Sequence, residues 1–474
     1  MAHDRSRAAR PDLIRAENVR AGTRDWMLER PRIDPATRFR CPWIEGWCSH
    51  TSIAAGESLV LYVSTNPPSP FTIDVYRMGF YGGAGGRHVD QLGPFRGVTQ
   101  PDPPIGPKRL RACRWTPCTT LAIPDDWASG VYLGKLTAAR EGVQSYVVFI
   151  VRDPRAADFV FQCSDLTWQA YNRWPDRYSL YDDGEKFWAW GPDADVSFDR
   201  PYGKYCQIVD APLSTGSGEW LLWEFPLAYW MESQGYDVTY VSGVDTHRDP
   251  DALRRAKGFL SVGHDEYYTM AMFTGLQRLI AEGMDVAFFS GNVCCGLVAL
   301  RDRVLSRLDR FGGTHPEEFA WFPEAQRLAQ SAPSESALVG ARTTVPATGS
   351  GAWTCAAPEH WLFEGTGMRR GDGIPGLVGW EYHGEPAELP GLEIVATGPT
   401  KSHHGTGVYT ATVYPGPRGN FVFNASSCWW SHGLAEPPGH VRPLTYEAIP
   451  QGPDPRAQRI TANVLDRILR RSRP

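Results

Sequence analysis

Between residues 44 and 153 apolar and polar positions alternate with a period of two. ESLVLYVSTN (57–66), FTIDVYRMGFY (71–81), SGVYLGKLTA and QSYVVFIVRD each place every second side chain on one face of an extended strand. Pro and Gly clusters separate the runs, and a short turn at AREGV joins the last two. Several short strands with frequent turn signals over about a hundred residues predict an immunoglobulin-like β-sandwich. Residues 1–43 form an N-terminal arm ahead of it.

After Pro154 the pattern changes. DFVFQCS is a short apolar run, and GEWLLWEFPLAYWMESQGY places Trp220, Trp223, Leu227 and Trp230 at helical spacing, with a kink expected at Pro226. DVTYVSG predicts a strand, and DPDALRRAKG a short helix with Asp249 as N-cap, Pro250 at its first position and Gly258 past its end. GFLSVG predicts a strand, TMAMFTGLQRLIAEG a helix from Thr269 to just before Gly283, and DVAFFSG another strand. Strands and helices alternating at this pitch predict a doubly wound parallel sheet, so residues 154–474 read as an α/β domain. A Gly/Pro/Trp-rich insertion of weak periodicity occupies roughly 300–400. Strand-like pieces recur at GVYTATVY and NFVFNAS, and RAQRITANVLDRILRR predicts a last helix.

Composition narrows the classes. Over 474 residues the net charge is −5, with hydrophobic residues at 42% and charged residues at 21%. That balance offers no electrostatic case for nucleic acid or an anionic membrane. No run approaches the roughly 18 apolar residues of a membrane span, and the N-terminus lacks the apolar core of a secretory signal. Ten Cys without CxxC spacing predict reduced thiols in a cytoplasmic protein, although Cys41/Cys48 and Cys113/Cys118 could pair after export.

In open α/β sheets ligands bind beyond the carboxyl ends of the strands. Three such ends carry candidate chemistry: Tyr171 and Asn172 after FVFQC, the run HDEYY (264–268) after GFLSVG, and Asn292 after VAFFS. Each residue also has a structural role open to it. Glu266 could face a helix dipole, His264 could be a satisfied core histidine, Tyr171 could be core, and Asn292 a turn residue. Shared placement on one sheet edge favours a pocket. Cys294 and Cys295 also follow a strand, as a nucleophile would, but SGNVCCGL lacks the tight small-residue turn of a nucleophile elbow. His403 and His404, adjacent in a predicted strand, would point to opposite faces. The Gly-rich tract YRMGFYGGAGGRHV lacks dinucleotide or P-loop context and reads as a hairpin loop.

The phrases IDVYRMGFYGG, SGVYLGKLT, TWQAYNRW, SFDRPYG, GYDVTYV, GHDEYY, FFSGN and VGWEYHG, in this order, resemble the large-subunit family of N,N-dimethylformamidase over residues 40 to 440. The resemblance implies a β-sandwich packed on a flavodoxin- or class I amidotransferase-like α/β domain. It also implies a mononuclear ferric iron, Fe(III), held by two tyrosines and a glutamate and hydrolysing an amide. Carried over by motif, the ligands fall on Tyr132, Tyr171 and Glu266, and proton-transfer or substrate-binding roles on His264, Asn292 and Glu381. Hard ferric iron favours such oxygen donors. The chain departs from the family's His-Pro-Glu by carrying Asp265, is much shorter than the large subunit, and does not itself encode the small partner subunit. The expected partner is a small amide substrate; a homo-oligomer is left open. A cysteine hydrolase of amidotransferase type and a non-catalytic binding module are the alternative readings.

Overall fold

The computed structural model describes residues 12–186, 188–205, 211–313, 323–330, 332–443 and 451–471. Its N-terminal part contains two sheets. Glu45–Cys48, Ser58–Ser64 and Thr119–Ala122 form a three-stranded sheet; Ser52–Ala54, Gln144–Arg152, Gly130–Ala138, Phe71–Met78 and Gly86–Phe95 form a five-stranded one. The period-two pattern now has a physical meaning. Tyr132, Leu136, Val147, Phe149 and Val151 join Leu59, Leu61, Val63 and Leu121 in a core shared by the two sheets. Their neighbours Val131, Leu133, Tyr146, Val148 and Ile150 point the other way, into a core shared with Phe161, Trp220 and Phe225. The five-stranded sheet is therefore buried on both faces. As expected, the Gly-rich tract is the loop of a hairpin, between the paired strands Phe71–Met78 and Gly86–Phe95.

The second part is built on a seven-stranded sheet ordered Val238–Ser242, Ala157–Cys163, Ala256–His264, Asp285–Gly291, Phe421–Asn424, Gly405–Pro415, Glu393–Ser402. The first five strands run parallel, and the last two form an antiparallel hairpin at the edge. The helix Met270–Ala281 starts where the sequence placed it, with the Thr269 side chain accepting from the Met272 amide at 3.3 Å. Pro455–Arg470 is the last helix, capped by Asp454.

Three local expectations change. Pro226 makes no mid-helix kink, because it sits in the first turn of the helix Phe225–Gln234, where a missing N–H costs nothing. A π-helical turn, Trp220–Glu224, precedes it. DPDALRRAKG forms a 3₁₀ segment, Pro250–Arg255, not an α-helix, because strand pairing claims the chain from Ala256 onward. Gly258 thus lies inside a strand. At the start of the predicted insertion, Gly296–Arg301 and Val304–Arg310 pair as a hairpin; with Asp195–Ser197 and Tyr267–Tyr268 they make a four-stranded sheet. Among the described residues no helix is long and apolar enough to cross a membrane. Cys41, Cys48, Cys113 and Cys118 carry free thiols.

Candidate active site

The three predicted strand ends converge. Ala157–Cys163, Ala256–His264 and Asp285–Gly291 are adjacent and parallel, so their carboxyl ends share one edge of the sheet. From the first, the chain turns into the helix Asp165–Tyr171, which carries Tyr171. From the second it runs into Asp265–Glu266, and from the third into Asn292. The loop bearing Glu266 is clamped on both sides. The Thr167 hydroxyl accepts from the Glu266 amide at 3.0 Å and the Tyr267 amide at 3.2 Å, while the Gly296 amide donates to the Glu266 carbonyl at 3.0 Å.

Two phenol oxygens meet the Glu266 carboxylate. The Tyr171 hydroxyl donates to Oε2 at 2.6 Å, the Tyr181 hydroxyl donates to Oε1 at 3.0 Å, and the two hydroxyls lie 2.7 Å apart. The phenol rings stack with centroids 4.6 Å apart. Burial, and next the Glu266 carboxylate, push both phenols well above the usual tyrosine range, so each keeps its proton unless a cation replaces it.

His264 is the hub of a second group. Its Nδ1 faces Glu219 Oε2 at 3.1 Å, and its Nε2 faces Glu381 Oε2 at 3.0 Å and Glu266 Oε2 at 3.4 Å. Asn292 Nδ2 donates to Glu381 Oε2 at 3.0 Å, and the Thr343 hydroxyl donates to Asn292 Oδ1 at 2.8 Å. Burial opposes a charged imidazole here, but Glu381 and Glu219 outweigh it and raise His264 well above the ordinary histidine range. Burial pushes Glu219 up to about 6, with His264 pulling the other way. His264, Glu266 and Glu381 offer ligand atoms within 4.8 Å of one another, a buried group that could hold a metal ion.

Glu219 reaches the ring because the π-helical turn comes against the strand end. Gly263, at φ +71°, makes room: a Cβ there would stand 2.6 Å from the Trp223 Cβ and 2.8 Å from its carbonyl oxygen. The Trp223 and Trp380 rings then flank His264, with centroids 5.9 and 6.5 Å away.

Among the residues singled out from sequence, Tyr171, His264, Glu266, Asn292 and Glu381 come together and Tyr132 does not. Its hydroxyl donates to the Ala128 carbonyl at 2.7 Å, and its ring stacks between Trp127 and Phe149. Strand alternation turns it into the core shared by the two N-terminal sheets, away from the seven-stranded sheet, so the expectation of a ligand from Tyr132 is corrected. Asp265 faces opposite to its neighbours, accepting from Ser261 Oγ at 2.7 Å, Gln162 Nε2 at 2.8 Å and Tyr268 Oη at 2.8 Å. It anchors the loop by these hydrogen bonds. Cys294 and Cys295 are buried; burial raises the Cys294 thiol well above its usual range and Cys295 to about 12, which denies both a thiolate. His403 and His404 occupy an exposed hairpin turn.

Pattern reading missed Tyr181, Glu219 and Arg307, and gave Tyr267, within the run HDEYY, no role of its own. Tyr181 and Glu219 sit in irregular chain, Glu219 just before the π-helical turn, where no periodicity marks a site. A cheap signal existed for Glu219: it is an acidic residue directly before the apolar run WLLW.

A comparison with curated proteins gives no match. The family model described as N,N-dimethylformamidase beta subunit-like, C-terminal, matches residues 72–443, a span that holds every residue of this cluster. The chain belongs to that family.

Proposed function

We propose that the protein is an iron-dependent amidohydrolase, cleaving an amide or formamide carbon–nitrogen bond at a mononuclear ferric site formed by Tyr171, Tyr181 and Glu266. The carrying observation is two phenol oxygens 2.7 Å apart that both meet the Glu266 carboxylate, Tyr171 at Oε2 (2.6 Å) and Tyr181 at Oε1 (3.0 Å). Adjacent oxygens on one cation, with bonds of ~2.0 Å at right angles, stand about 2.9 Å apart. His264 is the weaker ligand candidate because both ring nitrogens already face carboxylates. A hard trivalent ion in this donor set would supply Lewis acidity toward an amide carbonyl and toward water.

The chain's own groups do the proton work. Glu381 Oε2, within reach of His264 Nε2 and Asn292 Nδ2, takes the proton that an attacking water loses. His264 Nε2 passes a proton to the departing amine nitrogen, so water and amide become acid and amine. Glu219 fixes the ring from behind through Nδ1. Trp223 and Trp380 wall off bulk water beside His264.

The fold reading accords with this. Numbered along the chain, the parallel strands stand in the order 2-1-3-4-5, that of flavodoxin-type sheets, and two sheets sharing one core support an immunoglobulin-like sandwich.

Metal analysis of the purified protein with a visible spectrum tests the reading. The expected result is bound iron with a phenolate charge-transfer band, both lost with amide hydrolysis in Tyr171→Phe. Colourless metalloprotein would favour His264, Glu266 and Glu381 as the ligands. Metal-free protein that still hydrolyses amides would refute the iron reading, and an inert, metal-free protein would leave a binding module.

A further inference from the structure

Arg307 lies on the hairpin strand Val304–Arg310 and is buried at 2% exposure. Among the described residues it forms no ion pair. Its Nη1 donates to the Leu180 carbonyl at 3.0 Å and its Nη2 to the Tyr267 hydroxyl at 2.5 Å. The guanidinium carbon stands 4.6 Å from the Tyr181 ring centroid and 5.0 Å from that of Trp190. A buried cation with no carboxylate against it is costly, so its place calls for a nearby negative charge. Tyr267 connects it to one. The Tyr267 hydroxyl, fully buried, donates to the Tyr181 hydroxyl oxygen at 2.6 Å, which completes a directed chain from Arg307 through Tyr267 to Tyr181.

The fold builds this chain deliberately into rigid structure. Tyr267–Tyr268 pairs in parallel with Gly296–Leu297, and that strand pairs with Val304–Arg310, so ladder bonds fix the spacing of Tyr267 and Arg307. Tyr268, one residue on, points elsewhere and donates to Asp265.

We propose that Tyr267 and Arg307 are positioning residues that set the donor strength of Tyr181, with Arg307 balancing the charge of its phenolate and Tyr267 donating a hydrogen bond to its oxygen. The inference rests on the ferric reading above. A hydrogen bond into a ligand oxygen withdraws electron density from it, which leaves the cation a stronger Lewis acid. Such a bond also lowers the phenolate's filled orbitals and moves its charge-transfer band to shorter wavelength.

The test is the visible spectrum and iron content of Tyr267→Phe, purified as the holoprotein, with Tyr268→Phe as an equally buried control. The expected outcome is a band at longer wavelength in Tyr267→Phe with iron content unchanged, and a band at the wild-type position in Tyr268→Phe. Arg307→Lys, which keeps the charge but not the fork to Tyr267 and Leu180, should shift the band in the same direction. An unmoved band in a coloured Tyr267→Phe protein overturns the inference and leaves the ferric reading standing. Loss of iron in that variant overturns it by making Tyr267 a ligand. Wild-type protein without the band overturns the ferric reading, and the inference falls with it.

Discussion

Replacing Glu219 by Gln isolates the role of the carboxylate behind His264. Gln keeps an oxygen able to accept from Nδ1, at the 3.1 Å seen for Glu219 Oε2, and removes only the charge. A hydrogen bond to a charged group contributes about 1.5–3 kcal/mol, equivalent to roughly 10- to 150-fold in rate. Partners behind a site histidine cost about 10- to 100-fold when removed, so the two estimates agree. Stability moves the other way. Burial raises Glu219 from 4.5 to about 6, so its contribution to stability is fully present below the unfolded value and lost as pH rises through 6. At about pH 8 the charged carboxylate therefore costs about 2 kcal/mol, a penalty that Gln escapes. The assay is kcat and KM for hydrolysis of a small formamide, paired with thermal melting of the same preparation. The expected result is a kcat lowered about 10- to 100-fold with a melting temperature no lower than wild type. A Gln variant with wild-type kcat would refute the charge argument; if Glu219→Ala alone then lost activity, orientation would be the whole role.

Tyr132→Phe should leave iron content and colour unchanged and cost about 1 kcal/mol in urea unfolding, the worth of its bond to Ala128. Arg77 and Glu232, both fully buried, join the five-stranded sheet to the helix Phe225–Gln234 through contacts of 2.9 and 3.0 Å. Arg77→Met should destabilise by about 3–5 kcal/mol, and adding Glu232→Gln should restore part of that, measured by denaturant midpoints. Burial, and next Asp245, raise Asp165 from 3.8 to about 7. Its contribution is present below pH ~4 and lost as pH rises through ~7, so Asp165→Asn should flatten the stability–pH curve in that window by about 4 kcal/mol.

What could be read from sequence followed the regular structure. FVFQC, GFLSVG and VAFFS are apolar enough to be central parallel strands, and a parallel strand delivers its next residues to one known edge. That places Tyr171, His264, Glu266 and Asn292 on one edge from the sequence alone. Tyr181 escaped because tertiary contacts, not periodicity, place its loop. The buried Arg200 donates to the carbonyls of Asn172, Trp174 and Tyr178 and so gathers the preceding turns. Tyr132 was misplaced for a different reason. The motif match fixed its position in the chain, but the face it occupies depends on strand register, and one step of alternation sends it inward. Asp265 also follows alternation: His264 and Glu266 share one side of the chain, and Asp265 takes the other.

The doubly covered five-stranded sheet has a consequence for the protein's modularity. Cut free of residues beyond 153, it would bare Tyr76, Met78, Val131, Leu133, Tyr146, Val148 and Ile150 to water on one face. Side chains of that size make a contiguous apolar patch larger than a soluble monomer tolerates, above about 400 Å². The two N-terminal sheets are thus no detachable module. They and the part that follows bury each other's apolar surface, so neither is expected to stay soluble alone.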